Sequence, residues 1–248
     1  MELLRDLYYT NLSALRNTSK SLMKNWLFIF TGLFYTIATI FLYSIIPYFG
    51  ILAGIVLLIT TSAIISNYIY LLEGIITRDR ITFQDFKEGF TVYLRKVWGL
   101  LFMFWVGRMA FDLLIKPILG QFIDPAGVEM IGLFLAFVVL NPIPEVLYQK
   151  HYNPWESITH SFEFVKDNWI EWFIPNGIFL GIIYLVTGQV LAGIINYYIP
   201  INILFSGGGI VLYLLGQVIF TFMMIYRGYL FNTLSTSNRR KRLFMRRF

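Results

Sequence analysis

The chain has 248 residues, 57% of them hydrophobic and 14% charged, with a formal net charge of +6. Soluble domains are about half apolar and about a quarter charged, so water is excluded as the solvent for most of this chain, and the apolar runs leave no length for a separate soluble catalytic domain. The absence of cysteine removes disulfides, thiolate nucleophiles and cysteine-based metal sites, and two histidines, His151 and His160, are too few for a His-rich centre.

The opening MELLRDLYYTNLSALRNTSKSLMK has neither a continuous apolar core nor a small-residue cleavage site, so it is expected to belong to the mature protein. Six apolar runs follow, near 26–48, 51–72, 98–119, 128–147, 169–195 and 203–230. Each approaches the roughly 20 residues that cross a hydrocarbon layer of about 30 Å as a helix. Basic residues fall on alternate connections. Arg5, Arg16, Lys20 and Lys24 precede the first run; Arg78, Arg80, Lys87, Arg95 and Lys96 follow the second; Lys150 and Lys166 follow the fourth. The tail adds Arg239, Arg240, Lys241, Arg242, Arg246 and Arg247, and only Lys116 lies on the opposite side. Positive connections stay in the cytoplasm, so both termini and the two longer loops are expected there, with the IPYFG and NYYIPIN turns outside. Trp26, Trp98, Trp155, Trp169 and Trp172 then fall at the inner interface, where amphipathic rings are favoured.

The connection NPWESITHSFEFVKDNW carries Trp155, Ile158, Phe162, Val165 and Trp169 at helical spacing. Seventy-two residues earlier stand Phe83, Phe86, Phe90, Tyr93 and Val97, and 71 before those Leu12, Leu15, Ser19, Leu22 and Trp26. Each stripe is one face of an amphipathic helix that runs into an odd-numbered span. Thr82 with Asp85, and Asn153 with Glu156, have the spacing of a helix-capping pair, and Pro154 suits a first turn. The predicted architecture is all-α: six transmembrane helices in three tandem units, about 8–74, 80–149 and 153–231, each an interfacial amphipathic helix plus a transmembrane hairpin. Residues 1–248 form one integral membrane domain, with a basic cytoplasmic tail over 232–248. The competing reading is that amphipathic lead-ins are common and the period accidental.

Glu73, Glu145 and Gln217 recur at 72-residue intervals. An ionisable group inside a membrane is a functional candidate; alternatively Glu73 and Glu145 sit at the inner interface and pair with Arg78, Arg95 or Lys150. Arg108, Asp112 and Lys116 share one face of the third run, with Arg108 about 15 Å inside it. Arg108 and Asp112 are expected to pair, either as a substrate or proton site or as an ion pair that fixes helix packing. NPIPE, 141–145, removes two backbone donors through Pro142 and Pro144, so the fourth span is expected to break and present carbonyls, Asn141 and Glu145. Gly177 and Gly181 form a GxxxG whose simplest use is intramolecular packing, with homodimerisation as the alternative. The interleaved tail suits anionic lipid, at about 1 kcal/mol per basic residue near the surface.

No HExxH, GxSxG or P-loop is present. Asn11-Leu12-Ser13 and Asn17-Thr18-Ser19 fit a glycosylation pattern by chance, on the cytoplasmic side. LMKNWLFIF, ITFQDFKEGFTVYLRKVWGLL, NPIPE and NPWESITHSFEFVKDNWIEW together resemble bacterial six-span proteins of the YciC-like family and the membrane domain that precedes the catalytic domain in some glycerophosphodiester phosphodiesterases. That resemblance covers most of the chain and implies a bacterial inner-membrane protein; with no phosphodiesterase domain, no catalytic residue carries over.

The expected function is a non-enzymatic, multi-pass protein of the bacterial plasma membrane that engages anionic lipid or assists a membrane protein partner at the cytoplasmic leaflet. No cofactor, metal or nucleic acid is expected. Its lipid-surface residues are Phe83, Phe86, Phe90, Trp155, Phe162, Trp169 and the six basic residues of the tail. The alternative is a small transporter or channel that uses Arg108, Asp112, Glu73, Glu145, Gln217 and Asn141.

Overall fold

Helix is the only regular secondary structure among the residues that the computed structural model describes, 2–191, 193–200 and 209–237. In chain order the elements are α1 (Glu2–Lys24), α2 (Ile29–Ile45), α3 (Ala53–Arg78), α4 (Phe83–Val92), α5 (Leu94–Ala110), α6 (Lys116–Leu119), α7 (Pro125–Leu140), α8 (Ile143–Lys150), α9 (Pro154–Thr187) and α10 (Gly209–Thr236). A π turn, Phe111–Ile115, joins α5 to α6. Five helical stretches are long and apolar enough to cross a membrane: Trp26–Arg78, Leu94–Leu119, Pro125–Lys150, Pro154–Thr187 and Gly209–Thr236. The first holds two of the six apolar runs. It is interrupted at 46–52, where Gly50 adopts φ 51°, a region open to glycine because it lacks a Cβ. Beyond this bend α3 returns beside α2: Tyr35 donates to Asn67 Oδ1 at 2.6 Å, and Phe28 stacks on Tyr68 at 5.5 Å.

The lead-in helices lean on the bundle through small and polar residues. Along α1 the buried line is Asp6, Thr10, Ala14, Thr18 and Ser21, continued by Asn25. The anticipated stripe, Leu12, Leu15, Ser19 and Leu22 to Trp26, flanks that line, with Ser19 and Trp26 exposed. The small side chains let α1 approach α10, where the Ser21 hydroxyl meets that of Tyr229 at 2.6 Å and Tyr226 donates to Asn11. α4 runs back along α3. Asn67 donates to the Phe86 carbonyl at 2.5 Å, Ser66 donates to the Gly89 carbonyl at 2.7 Å, and a Cβ on Gly89 would stand 2.9 Å from the Asn67 amide nitrogen. The chain bends at Tyr93, so Tyr93 and Val97 turn inward while Phe83 stays exposed. Phe86 and Phe90 pack edge-on against Phe34. The first half of α9 buries Ser157, Ser161, Phe164 and Val165, and leaves Trp155, Phe162 and Trp169 exposed. Non-helical torsions at Asn168 (φ −130°, ψ 22°) separate this half from the apolar remainder.

Local signals are met where the chemistry is local. Thr82 and Asp85 form a reciprocal capping box, as do Asn153 and Glu156, each satisfying two otherwise orphaned backbone donors. Asp85 also takes Arg78 at 2.8 Å. Burial raises the Asp85 carboxyl, but hydrogen bonds from Thr82 and Arg78 outweigh it and hold the group below its ordinary range.

The end of α1 clamps the turn after α3. Lys24 and Ser21 both donate to the Asp79 carboxylate, and Asn25 accepts from the Ile81 N–H at 2.9 Å. The Lys24 hydrogen bond, then that of Ser21, lowers the Asp79 pKa. A depressed carboxylate contributes stability above its unfolded pKa, and that contribution is lost as pH falls through the folded value, so the clamp loosens in acid.

One expectation is corrected. Gly177 and Gly181 face open space, with nothing within 4 Å of a Cβ built on either, so GxxxG is not an intramolecular packing seam among the described residues. Close approach occurs instead at Gly216 and Gly228; a Cβ on Gly228 would lie 2.6 Å from the Tyr148 hydroxyl and 2.8 Å from two Ile76 carbons. Gly228→Ala is therefore expected to destabilise the purified protein by about 1–3 kcal/mol. Gly177→Ala should leave the thermal midpoint at or slightly above that of the parent, and a thermal-unfolding comparison of the two checks both.

Candidate functional site

The NPIPE run breaks its helix as the missing proline donors require. α7 stops at Leu140, α8 begins at Ile143, and the Asn141 carbonyl is left without a helical donor. Arg227 of α10 supplies one. Its Nη2 donates to Asn141 O at 2.7 Å and to Glu145 Oε2 at 2.9 Å, while its Nε donates to Glu145 Oε1 at 2.8 Å. Trp172 of α9 donates from Nε1 to Asn141 Oδ1 at 2.8 Å, and its ring lies 5.1 Å from the guanidinium carbon. The Glu145 side chain is 0% exposed and that of Arg227 7%. Removing two charges from water costs several kcal/mol per ion, which only bidentate geometry and satisfied remaining donors offset. The carboxylate contact is bidentate, and Arg227 Nη2 has a further acceptor in the Asn141 carbonyl.

This arrangement corrects the expected partners of Glu145. Arg78, Arg95 and Lys150 do not pair with it; Arg227 does, from 82 residues along the chain. Arg227 escaped attention although it is the one charged residue in the whole of α10. Trp172, anticipated at the interface, is fully buried against Phe164 and Phe231 because the guanidinium and Asn141 use both its face and its N–H.

The three positions at 72-residue spacing take three different sets of partners. Glu73 accepts from the Tyr93 hydroxyl at 2.8 Å and lies 3.6 Å from His151 Nε2, replacing the anticipated Arg78 or Arg95. Tyr93 also reaches His151 Nδ1 at 3.2 Å, and Lys96 fixes the His151 carbonyl at 2.6 Å. Gln217 lies ten residues before Arg227 on α10, about 15 Å along a helix. It donates to the Tyr213 hydroxyl at 3.0 Å and stands against Gly32, which has no room for a Cβ beside it.

Arg108 and Asp112 pair as anticipated, Nε to Oδ2 at 2.8 Å, with Asp112 set in the π turn. Glu129 of α7 was missed: it accepts from Arg108 at 2.7 Å and from Lys116 at 2.6 Å, closing a four-residue network of zero net charge. Its signal was the one carboxylate within α7, whose partner could not be read from one helix. These side chains are 28–41% exposed, in contrast to the sealed Glu145–Arg227 pair.

Phe83, Trp155, Phe162 and Trp169 form exposed aromatic positions on α4 and α9, with Phe86 and Phe90 half-buried beside Phe34. Arg239, Arg240, Lys241, Arg242, Arg246 and Arg247 lie outside the described residues. Among the described residues no three His, Asp or Glu side chains are placed to hold a metal ion. No family model matches the chain, and no curated protein and no solved structure is detectably similar to it.

The sealed pair generates a double-mutant test. Arg227→Met or Glu145→Met alone leaves an uncompensated buried group and is expected to cost about 3–5 kcal/mol. The double variant Glu145→Met/Arg227→Met is expected to recover most of that loss, because no charge is then stranded. Thermal unfolding of the three variants in one detergent reads the coupling, and an additive double loss would contradict it.

Proposed function

We propose that the chain is a six-span protein of the bacterial inner membrane, organised as three units of lead-in helix plus hairpin, with both termini in the cytoplasm. In this reading it is non-enzymatic: it engages anionic lipid at the cytoplasmic leaflet and serves there as a platform for a membrane protein partner. The observation that carries it is the sense of the amphipathicity. Ser157 and Ser161 of α9 face the protein, while Trp155, Phe162 and Trp169 are 67%, 52% and 61% exposed. A helix facing water would bury the aromatic residues and expose the serines. A helix lying in the headgroup region does the reverse, with its aromatic face set about 5–10 Å into the boundary with the acyl chains. The basic residues on the same connections and in the tail supply the attraction to anionic headgroups.

The transporter or channel reading uses the same polar residues, but they do not form one path. Glu145 and Arg227 neutralise each other away from solvent, Gln217 is bonded within the bundle, and Glu73 belongs to a separate cluster with Tyr93 and His151. The resemblance to YciC-like proteins agrees with the six-span, inner-membrane reading.

The natural absence of cysteine makes sidedness directly measurable. Tyr48→Cys and Phe122→Cys are expected to react with a membrane-impermeant maleimide in intact cells, and Arg80→Cys only after permeabilisation. Reversed labelling would overturn the topology. For the lipid role, Trp155→Ser/Phe162→Ser/Trp169→Ser combined with charge reversal of Arg239 to Arg242 is expected to lower co-purified phosphatidylglycerol several-fold in native mass spectrometry. Retention equal to the parent would remove the lipid-engaging reading.

A further inference from the structure

At the ends of α2 and α3 remote from the Asp79 turn, a cavity of about 750 Å³ lies between α2, α3, α5 and the segment that carries Tyr197 and Tyr198. Its volume falls within the range of about 300–1,000 Å³ typical of small-molecule sites. Its chemistry is unlike that of the polar clusters above, because among the described residues no charged side chain lines it. The polar groups are hydroxyls, from Thr39, Tyr43, Thr61, Tyr197 and Tyr198, and the remaining wall is apolar, including Leu58, Phe102 and Trp105. Tyr43, Ile55, Phe102 and Trp105 are exposed at its rim, on helices apolar enough to cross a membrane. The mouth therefore faces hydrocarbon.

The hydroxyls are organised. Thr36, Thr39 and Tyr43 stand at i, i+3 and i+7 on one face of α2, and the buried Thr39 hydroxyl oxygen makes no hydrogen bond within the described residues. Thr36 and Tyr213 share a hydrogen bond at 2.8 Å, Tyr213 accepts from Gln217, and the buried Gln217 Oε1 has no partner. A second hollow of about 480 Å³ lies on the other side of Thr39, Tyr43 and Tyr198 and adds Ser44. Hydroxyl groups both donate and accept, which suits esters and alcohols. A phosphate brought here would lose its hydration with no cation to pair it, which is strongly unfavourable.

We propose that this cavity binds an uncharged ester lipid with a free hydroxyl, of the diacylglycerol class, entering sideways from the bilayer. The acyl chain lies along Leu58, Phe102 and Trp105, and the glycerol end meets Thr39, Tyr43 and Tyr198. The site is separate from the aromatic face of α9 and opposite to it in charge preference, so each reading stands or falls alone.

The test uses the full-length protein in nanodiscs with photoactivatable diacylglycerol and phosphatidylglycerol carrying identical chains. Diacylglycerol is expected to crosslink within 39–61 and 101–105, and phosphatidylglycerol is not. Gly54 lines the cavity and has nothing within 4 Å of a built Cβ, so Gly54→Leu fills the space without a clash in the backbone. That variant is expected to lower capture about tenfold, equivalent to about 1.4 kcal/mol. Gly107→Leu, also in open space but outside the lining, should leave capture unchanged. Thr39→Val, which removes a hydroxyl at nearly constant volume, gives an independent decrease should Gly54→Leu fold poorly. No crosslink at these segments, equal capture of both lipids there, or full capture by folded Gly54→Leu and Thr39→Val would each overturn the proposal. Phosphatidylglycerol retention through α9 should be unaffected by Gly54→Leu.

Discussion

The bidentate contact of Arg227 with Glu145 is the constraint around which one end of the bundle is arranged. A charge pair this far from solvent is tolerable only with further hydrogen bonds, and the surrounding elements supply them. The broken helix offers the Asn141 carbonyl, α9 offers Trp172 as a second donor to Asn141, and the glycine after Arg227 lets Tyr148 and Ile76 close over the pair. Gln149 then donates to the Gly228 carbonyl at 2.8 Å, joining α8 to α10 just beyond the ion pair. The two prolines of NPIPE interrupt the helix between Leu140 and Ile143, and the Asn141 carbonyl in that interruption is the one the arginine takes.

A second constraint is the close seating of α1, α4 and the first half of α9. Serine, threonine, glycine and alanine on their inner faces allow near approach, and some hydroxyls bond across the contact, Ser161 to the Val139 carbonyl at 2.9 Å and Ser21 to the Asp79 carboxylate at 2.7 Å. Large apolar side chains are displaced to the outer faces. In water that distribution would be unfavourable, whereas at a membrane surface it places aromatic rings where their apolar bodies and polar edges are both satisfied. The packing that holds these helices and the surface they present therefore follow from one choice of which residues are small.

The polar interior divides by charge. Ionised groups are neutralised locally, in the Glu145–Arg227 pair and in the Arg108–Asp112–Glu129–Lys116 network, while the outer ends of α2 and α3 carry hydroxyls alone. Closed ion pairs stabilise a framework, and an uncharged cavity leaves room for the neutral guest proposed above. This division is compatible with the lipid-associated scaffold proposed above; a conduit for ions would need its charged groups arranged in series.

By itself the sequence determined whatever depends on composition or on spacing within one helix. The lipid-compatible composition, the apolar stretches, both capping boxes, the NPIPE break and the Arg108–Asp112 pair at i, i+4 were all legible, because three or four residues fix a face and a proline removes a donor wherever it stands. Which face turns inward, and which helix it meets, was decided only by the tertiary structure. Leu12, Leu15 and Leu22 formed the evident stripe of α1, yet Thr10, Ala14 and Thr18 form its buried line, since close packing selects for size as well as polarity. Glu145 could be recognised as costly to bury, but its partner lies 82 residues away, and Glu129 reaches Arg108 from a neighbouring helix. Gly177 and Gly181 had the spacing of a packing seam without a helix to pack against. Periodicity constrains rotation about one helix axis; pairing depends on the relative placement of two, and that is a property of the assembled bundle.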